Sequence, residues 1–296
     1  MAPEAAERFI DLLHRMGYTF LMLYTEDTYE VPGHPLFGHM RGRYTAQEIR
    51  RLDAHAAARG MELIPCIQTL AHLNGIMHWG QYRAIRDVND ILLAEDEGTY
   101  ALIEDMFHTV AATFRSRTAH IGMDEAHMIG LGQYLDRHGY RDRVEILLTH
   151  LQKVSALADK YGLSPIMWGD MFFRLATGAD YFAGVDLDKE KAAQIAARIP
   201  ANIRLVYWDY YSTDRERYRR NLAAHEALKG GTWFAGGAWT WAGFAPHNDF
   251  SLRATAPAVD VCRAGGVADL FFTMWGDNGG ECSRFALLPA LFAGAA

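Results

Sequence analysis

Two adjacent acidic residues, Asp124 and Glu125, are the side chains of this sequence best suited to acid–base chemistry. They follow the short apolar run 119–123, which is compatible with a β-strand and comes after a long amphipathic helix. Two neighbouring carboxylates repel each other, so the pKa of at least one rises and an acid can lie beside a base. The alternative is that the pair simply begins the next helix, where negative charge interacts favourably with the helix dipole.

The ends of the other predicted strands also carry polar and aromatic side chains. In chain order these are Gln68 and His72; Trp168 and Asp170; Trp208, Asp209, Tyr210 and Tyr211; Trp239 and Trp241; and Trp275 and Asp277. A single tryptophan most simply fills a core, because large aromatic side chains dominate protein interiors. Five of the seven tryptophans lie at strand ends. This clustering favours a carbohydrate site, where sugar rings stack on aromatic faces and acids bind hydroxyl groups.

An alternation of strands and helices along the whole chain would position these residues. Seven strands are predicted, near residues 20, 64, 121, 166, 205, 234 and 271, with helices between them. This spacing predicts an α/β fold with a parallel sheet, of the TIM (β/α)8-barrel type, whose C-terminal strand ends form the active-site face. A doubly wound open sheet is the rival fold, although no glycine-rich phosphate loop follows the first strand.

A closed barrel of this type needs eight strands, one more than the sequence predicts. The chain begins with a helix. We therefore expect the first barrel strand to lie outside this sequence, and residues 1–296 to form a single barrel domain that is truncated at its N-terminus. An unpaired gap between the outer strands would then be an aggregation hazard.

Composition narrows the function classes. The 296 residues carry a formal net charge of -7 and no basic run, so a nucleic-acid partner is not expected. No apolar run reaches the length of a membrane span, and no signal peptide is recognisable, which predicts a cytoplasmic protein without a membrane partner. The three cysteines are widely spaced and are predicted to be free thiols, with Cys66 buried in a strand. The sequence does not indicate an oligomeric state.

No cofactor or metal is predicted. The sequence has thirteen histidines but no HExxH motif or paired-histidine spacing, and His120 is expected to be a hydrogen-bonded core residue. A metal-dependent barrel hydrolase that uses His72, His120 and Asp124 stays open as an alternative. Asp53, Asp136 and Asp159 fall on predicted helices and are expected to be solvated.

The motif His-x-Gly-x-Asp-Glu at the end of a barrel strand resembles the signature of the family-20 glycoside hydrolases, the β-N-acetylhexosaminidases. The similarity covers nearly the whole chain. It includes IQTLAH before the signature, and VYWDYY, GGAW and MWGD after it. The chain resembles the small, intracellular-type hexosaminidases more closely than the lysosomal or secreted ones. The resemblance implies a substrate with a terminal β-linked N-acetylhexosamine, which could be a glucosamine or a galactosamine derivative.

The resemblance also implies a role for each site residue. The family uses substrate-assisted retaining catalysis, in which the 2-acetamido oxygen of the sugar attacks the anomeric carbon and forms an oxazolinium ion. Asp124 would orient the acetamido group, and Glu125 would protonate the glycosidic oxygen and then activate water. The resemblance gives the remaining roles to residues around this pair: Trp168, Trp208, Trp239 and Trp275 as walls around the acetamido group and the sugar face, Tyr210 or Tyr211 as the donor to the acetamido oxygen, and Asp277 as the acid that binds the outer hydroxyls. His72 would help to hold the catalytic centre, and Glu26 or Asp27 could complete that network.

One departure from the family concerns the first strand, which carries an arginine that grips sugar hydroxyls. This chain has no such strand, so the polypeptide alone is expected to be weak or inactive. Two further alternatives are a non-catalytic carbohydrate-binding barrel and an inactive truncated homologue. The adjacent acid pair argues against the first of these, because a binding module has no need of a proton donor.

Overall fold

A sheet of seven parallel strands forms the centre of the computed structural model, which describes residues 1–178, 181, 186–277 and 282–295. The strands pair in chain order, from first to seventh. They are β1 (Phe20–Glu26), β2 (Glu62–Ile67), β3 (Thr118–His120), β4 (Ser164–Trp168), β5 (Arg204–Trp208), β6 (Trp233–Gly237) and β7 (Leu270–Thr273). All seven predicted strands are present. An order without reversal is the order of a barrel and excludes the doubly wound alternative for these strands.

Helices connect the strands and cover the sheet. They are α1 (Pro3–Arg15), α2 (Ala46–Ala57), α3 (Asn74–Met77), α4 (Glu97–Thr113), α5 (Gln133–His138), α6 (Arg143–Lys160), α7 (Asp170–Thr177), α8 (Lys189–Ala196), α9 (Arg215–Leu228), α10 (Asn248–Ala264) and α11 (Leu288–Ala295), with 3-10 turns at Gly80–Ile85 and Arg284–Leu287. The predicted capping box at the start of α2 is confirmed: Thr45 accepts the Glu48 backbone N–H, and Glu48 accepts that of Thr45. None of the helices in the described ranges is long and apolar enough to cross a membrane.

The sheet curls so that its two outer strands approach each other through their side chains. The ring of Phe20 on β1 lies 5.6 Å from Trp233 on β6 and 6.4 Å from Phe271 on β7. In the described part of the chain, β1 and β7 nevertheless share no backbone ladder. The seven strands thus form a partial barrel, whose interior is filled by side chains.

The active-site strand β3 is shorter than predicted. The sequence predicts a strand over residues 119–123, but regular strand geometry stops at His120. Gly122 and Met123 both have a φ of 71°, a left-handed conformation that no regular strand contains. The apolar run continues past the strand because Ile121 and Met123 are buried in the core, so hydrophobicity alone does not mark where the strand ends.

Asp53 on α2 was expected to be solvated, and this prediction is wrong. The side chain is buried, accepts the Arg115 backbone N–H at 3.2 Å and pairs with the Arg115 guanidinium at 3.1 Å. It joins α2 to the turn before β3, at the end of the sheet opposite Asp124. The buried positions of His120 and Cys66 are confirmed, and all three cysteines are free.

Candidate active site

Asp124 and Glu125 lie in an irregular turn directly after β3, at the C-terminal edge of the sheet. The turn is held in left-handed conformations at Gly122, Met123 and Glu125, where φ is 71°, 71° and 52°. Such conformations are uncommon for residues other than glycine and occur where the surrounding structure enforces them. The turn is therefore a constrained support for the two carboxylates, and the pair does not begin a helix.

Two side chains from the end of β2 hold the Asp124 carboxylate. Gln68 donates from Nε2 to Oδ1 at 3.0 Å, and His72 Nε2 lies 3.2 Å from Oδ2. Burial raises the pKa of Asp124, since only 16% of its side chain is exposed, but the hydrogen bonds and the charge of His72 outweigh burial and leave the pKa below its usual value. Asp124 is thus a fixed carboxylate anion at neutral pH.

Glu125 has the opposite character. Burial and the neighbouring charge of Asp124 raise its pKa, against the smaller opposing effects of His72 and Arg174. His72 Nε2 lies 3.6 Å from Oε2, and 46% of the Glu125 side chain is exposed, so the group can reach an incoming molecule. The sequence predicts an acid beside a base, and the two environments differ in this direction.

His72 is the cation that joins the two carboxylates. Its backbone is left-handed, with a φ of 57°, and its N–H donates to Asp90 at 3.1 Å. Burial lowers the pKa of the imidazole, but the hydrogen bond and charge of Asp124, with the charges of Glu125 and Asp90, raise it to about 9. His72 is therefore protonated at neutral pH and balances part of the charge of the carboxylate pair.

The His72 contact makes the stability of the fold depend on pH. The pKa of His72 is about 9 in the folded chain and starts from an ordinary value of 6.5, so its stabilisation is complete below about pH 6.5 and is lost as pH rises through about 9. We expect the difference in free energy of unfolding between the wild type and His72→Gln to shrink over this interval. Urea unfolding at a series of pH values measures it, and a constant difference would contradict the ion pair.

Aromatic side chains surround the space next to the carboxylates. Trp168 is buried, its ring centroid is 4.4 Å from that of His120, and Trp275 is 6.2 Å away. Trp275 also contacts Tyr24 of β1 edge-to-face at 4.9 Å. The structure thus brings together aromatic residues from the C-terminal ends of the first, fourth and seventh strands.

A second aromatic group lies after β5 and β6. The rings of Trp208 and Tyr210 stack at 4.9 Å, and those of Trp239 and Trp241 stack at 4.8 Å. Tyr210 joins the two pairs, because its ring is 5.6 Å from Trp241 and its carbonyl accepts the Trp239 indole N–H at 2.8 Å.

Tyr210 and Tyr211 could not be distinguished from sequence, and the structure places them differently. Tyr210 is 6% exposed, and the charges of Asp124 and Asp170 contribute to the rise in its pKa, after the larger effect of burial. Tyr211 is 47% exposed and lies at the outer edge of the aromatic group, 5.1 Å from Trp239. Tyr210 is therefore the buried member of the two, and Tyr211 is the half-exposed one, whose pKa is raised by burial first and then by the charges of Asp277 and Glu125.

The remaining predicted residues lie further from the pair. Glu26 accepts the Tyr24 hydroxyl at 3.2 Å, and Tyr24 in turn accepts from Gln68 at 3.3 Å, so a chain of hydrogen bonds links Glu26 to Asp124. Asp27 is fully buried and pairs with Arg41, which also binds Glu26 at 3.0 Å. Neither acid forms an ion pair with His72 in the structure.

Asp277 is exposed and follows β7. It has a φ of 26° and lies close enough to Glu125 for its charge to raise the pKa of that residue. The segment directly after it, 278–281, lies outside the described residues.

Sequence reasoning assigned no role to four residues of this site: Tyr24, Gln68, Asp170 and Arg41. Gln68 and Asp170 stand at strand ends, which was the available signal, but a strand-end position does not show which side chain is contacted. Gln68 is separated from Asp124 by 56 residues, and Arg41 reaches Glu26 from a loop 15 residues away. Only the folded sheet brings these groups together.

Gly122 is required by the close approach of Gln68. A Cβ at this position would lie 1.8 Å from Gln68 Oε1 and 2.5 Å from its Cδ. We expect Gly122→Ala to cost about 1–3 kcal/mol more stability than Gly162→Ala, because overpacking adds to the backbone strain. Gly162 is a matched control, since it has a φ of 64° but open space around it. Chemical denaturation of both variants measures the difference, and equal losses would contradict the packing argument.

The metal alternative gains no support from the geometry. His120 Nδ1 accepts the Gly122 N–H at 3.1 Å, and its ring packs on Trp168. Across the described ranges, no group of three or more His, Cys, Asp or Glu residues is arranged to hold a metal ion.

Comparison with known sequences identifies a family and relatives for this chain. The profile described as "Glycosyl hydrolase family 20, catalytic domain" matches residues 23–227. Hexosaminidase D of Bos taurus is 23% identical over 241 residues, covering 78% of this chain and 64% of that protein. Beta-hexosaminidase of Vibrio furnissii is 38% identical over 96 residues, covering 28% of this chain and 16% of that protein. This chain spans less than two thirds of the length of either relative.

Solved structures share the fold. A chitobiase from Flavobacterium johnsoniae superposes with a TM-score of 0.69 and 17% identity, and the match covers 100% of this chain and 45% of the chitobiase chain. A β-N-acetylglucosaminidase from Vibrio harveyi, in complex with N-acetylglucosamine, superposes with a TM-score of 0.69 and 16% identity. The match covers 100% of this chain and 51% of the Vibrio harveyi chain. At this level of identity the likeness establishes the barrel-type fold alone.

Proposed function

This chain belongs to glycosyl hydrolase family 20, and we propose that it removes terminal, non-reducing β-linked N-acetylhexosamine by substrate-assisted, retaining catalysis. The single observation that carries the proposal is the contrast between two adjacent carboxyl groups. The pKa of Asp124 is lowered by His72 and Gln68 despite burial, whereas burial and the charge of Asp124 raise the pKa of Glu125. One group is a held anion and the other a proton donor.

In the first step, the acetamido oxygen attacks the anomeric carbon as the glycosidic bond breaks. Glu125 gives its proton to the departing oxygen, and the sugar becomes a cyclic oxazolinium ion. Asp124 accepts a hydrogen bond from the acetamido N–H, on which positive charge develops. The nucleophile belongs to the substrate and is already in place, so its effective concentration is high. In the second step Glu125, now a carboxylate, takes a proton from water as the water oxygen bonds to the anomeric carbon. The bond between that carbon and the acetamido oxygen breaks, which restores the acetamido group and gives overall retention.

The aromatic groups fit the shape of such a substrate. At the same end of the sheet as the carboxylates, the Trp168–Trp275 and Trp208–Tyr210 pairs supply apolar surface for the sugar ring. We assign the role of donor to the acetamido oxygen to the hydroxyl of Tyr210, because this ring is buried and the charge of Asp124 acts on it, whereas Tyr211 is half exposed. Trp241 packs against the Tyr210 ring, and Trp239 stacks on Trp241.

Hydrolysis of a chromogenic N-acetyl-β-glucosaminide, with the matching β-glucoside as control, tests the proposal. Cleavage of the first compound alone is expected, because the glucoside lacks the acetamido nucleophile. Cleavage of both at similar rates would overturn the mechanism. Binding of N-acetylglucosamine without any turnover would favour a carbohydrate-binding barrel, and the N-acetyl-β-galactosaminide, assayed in parallel, reports the preference for the sugar.

We further infer that an eighth parallel strand from outside these residues fits between β7 and β1. In the described residues these two strands have no partner on their outer edges, and most β1 residues are only partly buried. The Tyr18 hydroxyl donates to the Leu291 carbonyl at 2.8 Å across this edge, so α11 lies close to the opening. Adding an upstream strand segment is expected to raise stability and affinity for N-acetylglucosamine, and no gain in either would contradict the inference.

A further inference from the structure

Asp170 is a buried carboxyl group beside the catalytic pair that the mechanism above does not use. It is the first residue of α7, directly after β4, and it is fully buried. Its Oδ2 accepts the backbone N–H of Glu125 at 3.4 Å, across a separation of 45 residues. The Trp208 side chain also hydrogen-bonds to this carboxyl, which lowers its pKa against the effect of burial.

The Glu125 N–H belongs to a residue with an uncommon backbone conformation. Glu125 has a φ of 52°, a left-handed conformation that costs free energy for a residue with a side chain. A backbone N–H that is partly removed from water needs an acceptor, because an unsatisfied buried donor is destabilising. The Asp170 carboxyl supplies this acceptor, and α7 fixes its position.

We propose that Asp170 is a positioning residue for the general acid, holding the Glu125 backbone in the conformation from which its side chain reaches the glycosidic oxygen. The inference rests on the proposed function. It requires Asp170 only as an acceptor, so the residue need not be charged. This agrees with its surroundings, since burial and the charge of Asp124 raise the pKa of Asp170 to about 7.

The test compares two leaving groups in the wild type and in four variants. A dinitrophenyl aglycone departs without a proton, whereas a methyl aglycone needs Glu125 to protonate the glycosidic oxygen. Asp170→Ala removes the acceptor, Asp170→Glu displaces it by one methylene group, and Asp170→Asn keeps an acceptor oxygen in place. Asp53→Ala is the matched control, because it removes another buried carboxyl that accepts a backbone N–H, at the opposite end of the sheet.

We expect kcat/KM of Asp170→Ala and Asp170→Glu to fall at least about tenfold more for the methyl than for the dinitrophenyl glycoside, because only the first depends on the placed acid. Asp170→Asn should restore the wild-type ratio of the two substrates, and Asp53→Ala should keep that ratio even if it lowers stability.

Equal losses of kcat/KM on both substrates in Asp170→Ala and Asp170→Glu would overturn the inference. It would also be overturned if Asp170→Asn lost as much more kcat/KM on the methyl than on the dinitrophenyl glycoside as Asp170→Glu does. If Asp170→Ala does not fold, the comparison of Asp170→Glu with Asp170→Asn still decides. Wild-type turnover of the N-acetylglucosaminides, measured first, separates a failure of the proposed function from a failure of the Asp170 role.

Discussion

Glu125→Gln is expected to lower kcat/KM for an alkyl N-acetyl-β-glucosaminide by about 10²–10⁴-fold, the contribution of a positioned general acid. Gln has nearly the same size as Glu but cannot give a proton to the glycosidic oxygen. For a dinitrophenyl glycoside the loss in kcat/KM should be small, because this parameter reports only the steps up to release of the aglycone, and this aglycone leaves unprotonated. Steady-state kinetics on the two substrates measure the contrast.

The pH dependence of kcat/KM is a second, independent test of the role of Glu125. Burial and the charge of Asp124 raise the pKa of Glu125, so the acid stays protonated to higher pH than an ordinary glutamate. The alkaline limb of kcat/KM for the alkyl glycoside should therefore lie above the usual Glu range and should disappear in the Gln variant. Glu62→Gln, at the exposed start of β2, is the matched control. It should change neither the kcat/KM contrast between the two substrates nor the alkaline limb of the pH profile. A similar loss on both substrates in Glu125→Gln would contradict the role of general acid.

Asp124→Asn is the second change with a large expected effect. The variant keeps the shape of the side chain but loses the negative charge that faces the acetamido N–H. We expect kcat/KM to fall by about 10²–10³-fold, the typical cost of removing one preorganised electrostatic contact. The loss should be similar for alkyl and dinitrophenyl glycosides, because attack by the acetamido oxygen is needed for both. This pattern distinguishes Asp124 from Glu125.

A measurement without substrate complements the kinetics. The hydrogen bond and charge of Asp124 are the largest of the effects that raise the pKa of His72 to about 9, against burial. NMR titration of the His72 imidazole should show a clear fall of this pKa in Asp124→Asn. In Asp249→Asn, a control at an exposed position of α10, the His72 pKa should stay near the wild-type value. An unchanged His72 pKa in Asp124→Asn would contradict the network around the anion.

Local patterns in the sequence are sufficient to predict most of the fold. Apolar runs bounded by glycine and by capping residues mark all seven strands, and Thr45 with Glu48 marks the start of α2. The acid pair and the tryptophans are also visible, because their residue types and their places after strands are local properties. The chemistry proposed for Asp124 and Glu125 therefore comes within reach before any coordinates are known.

Contacts between distant segments are what the sequence does not reveal. Nothing local shows that Gln68 holds Asp124, that Asp170 accepts the Glu125 N–H, or that Asp53 is buried against Arg115. The left-handed backbone at His72 and Glu125 is also unmarked, because neither is a glycine and neighbouring elements impose the conformation. The contact of Gln68 with Asp124 and that of Asp170 with the Glu125 N–H both act on pKa values of the site.

The most direct test of the account is a series of substrates whose acetamido group carries zero, one, two or three fluorine atoms. Fluorine withdraws electrons and makes the acetamido oxygen a weaker nucleophile, while the leaving group and the rest of the sugar stay the same. If this oxygen attacks the anomeric carbon with the help of Asp124, kcat/KM must fall steeply with each added fluorine. A flat series would mean that the substrate does not supply the nucleophile, and the roles assigned to Asp124 and Glu125 would have to be abandoned.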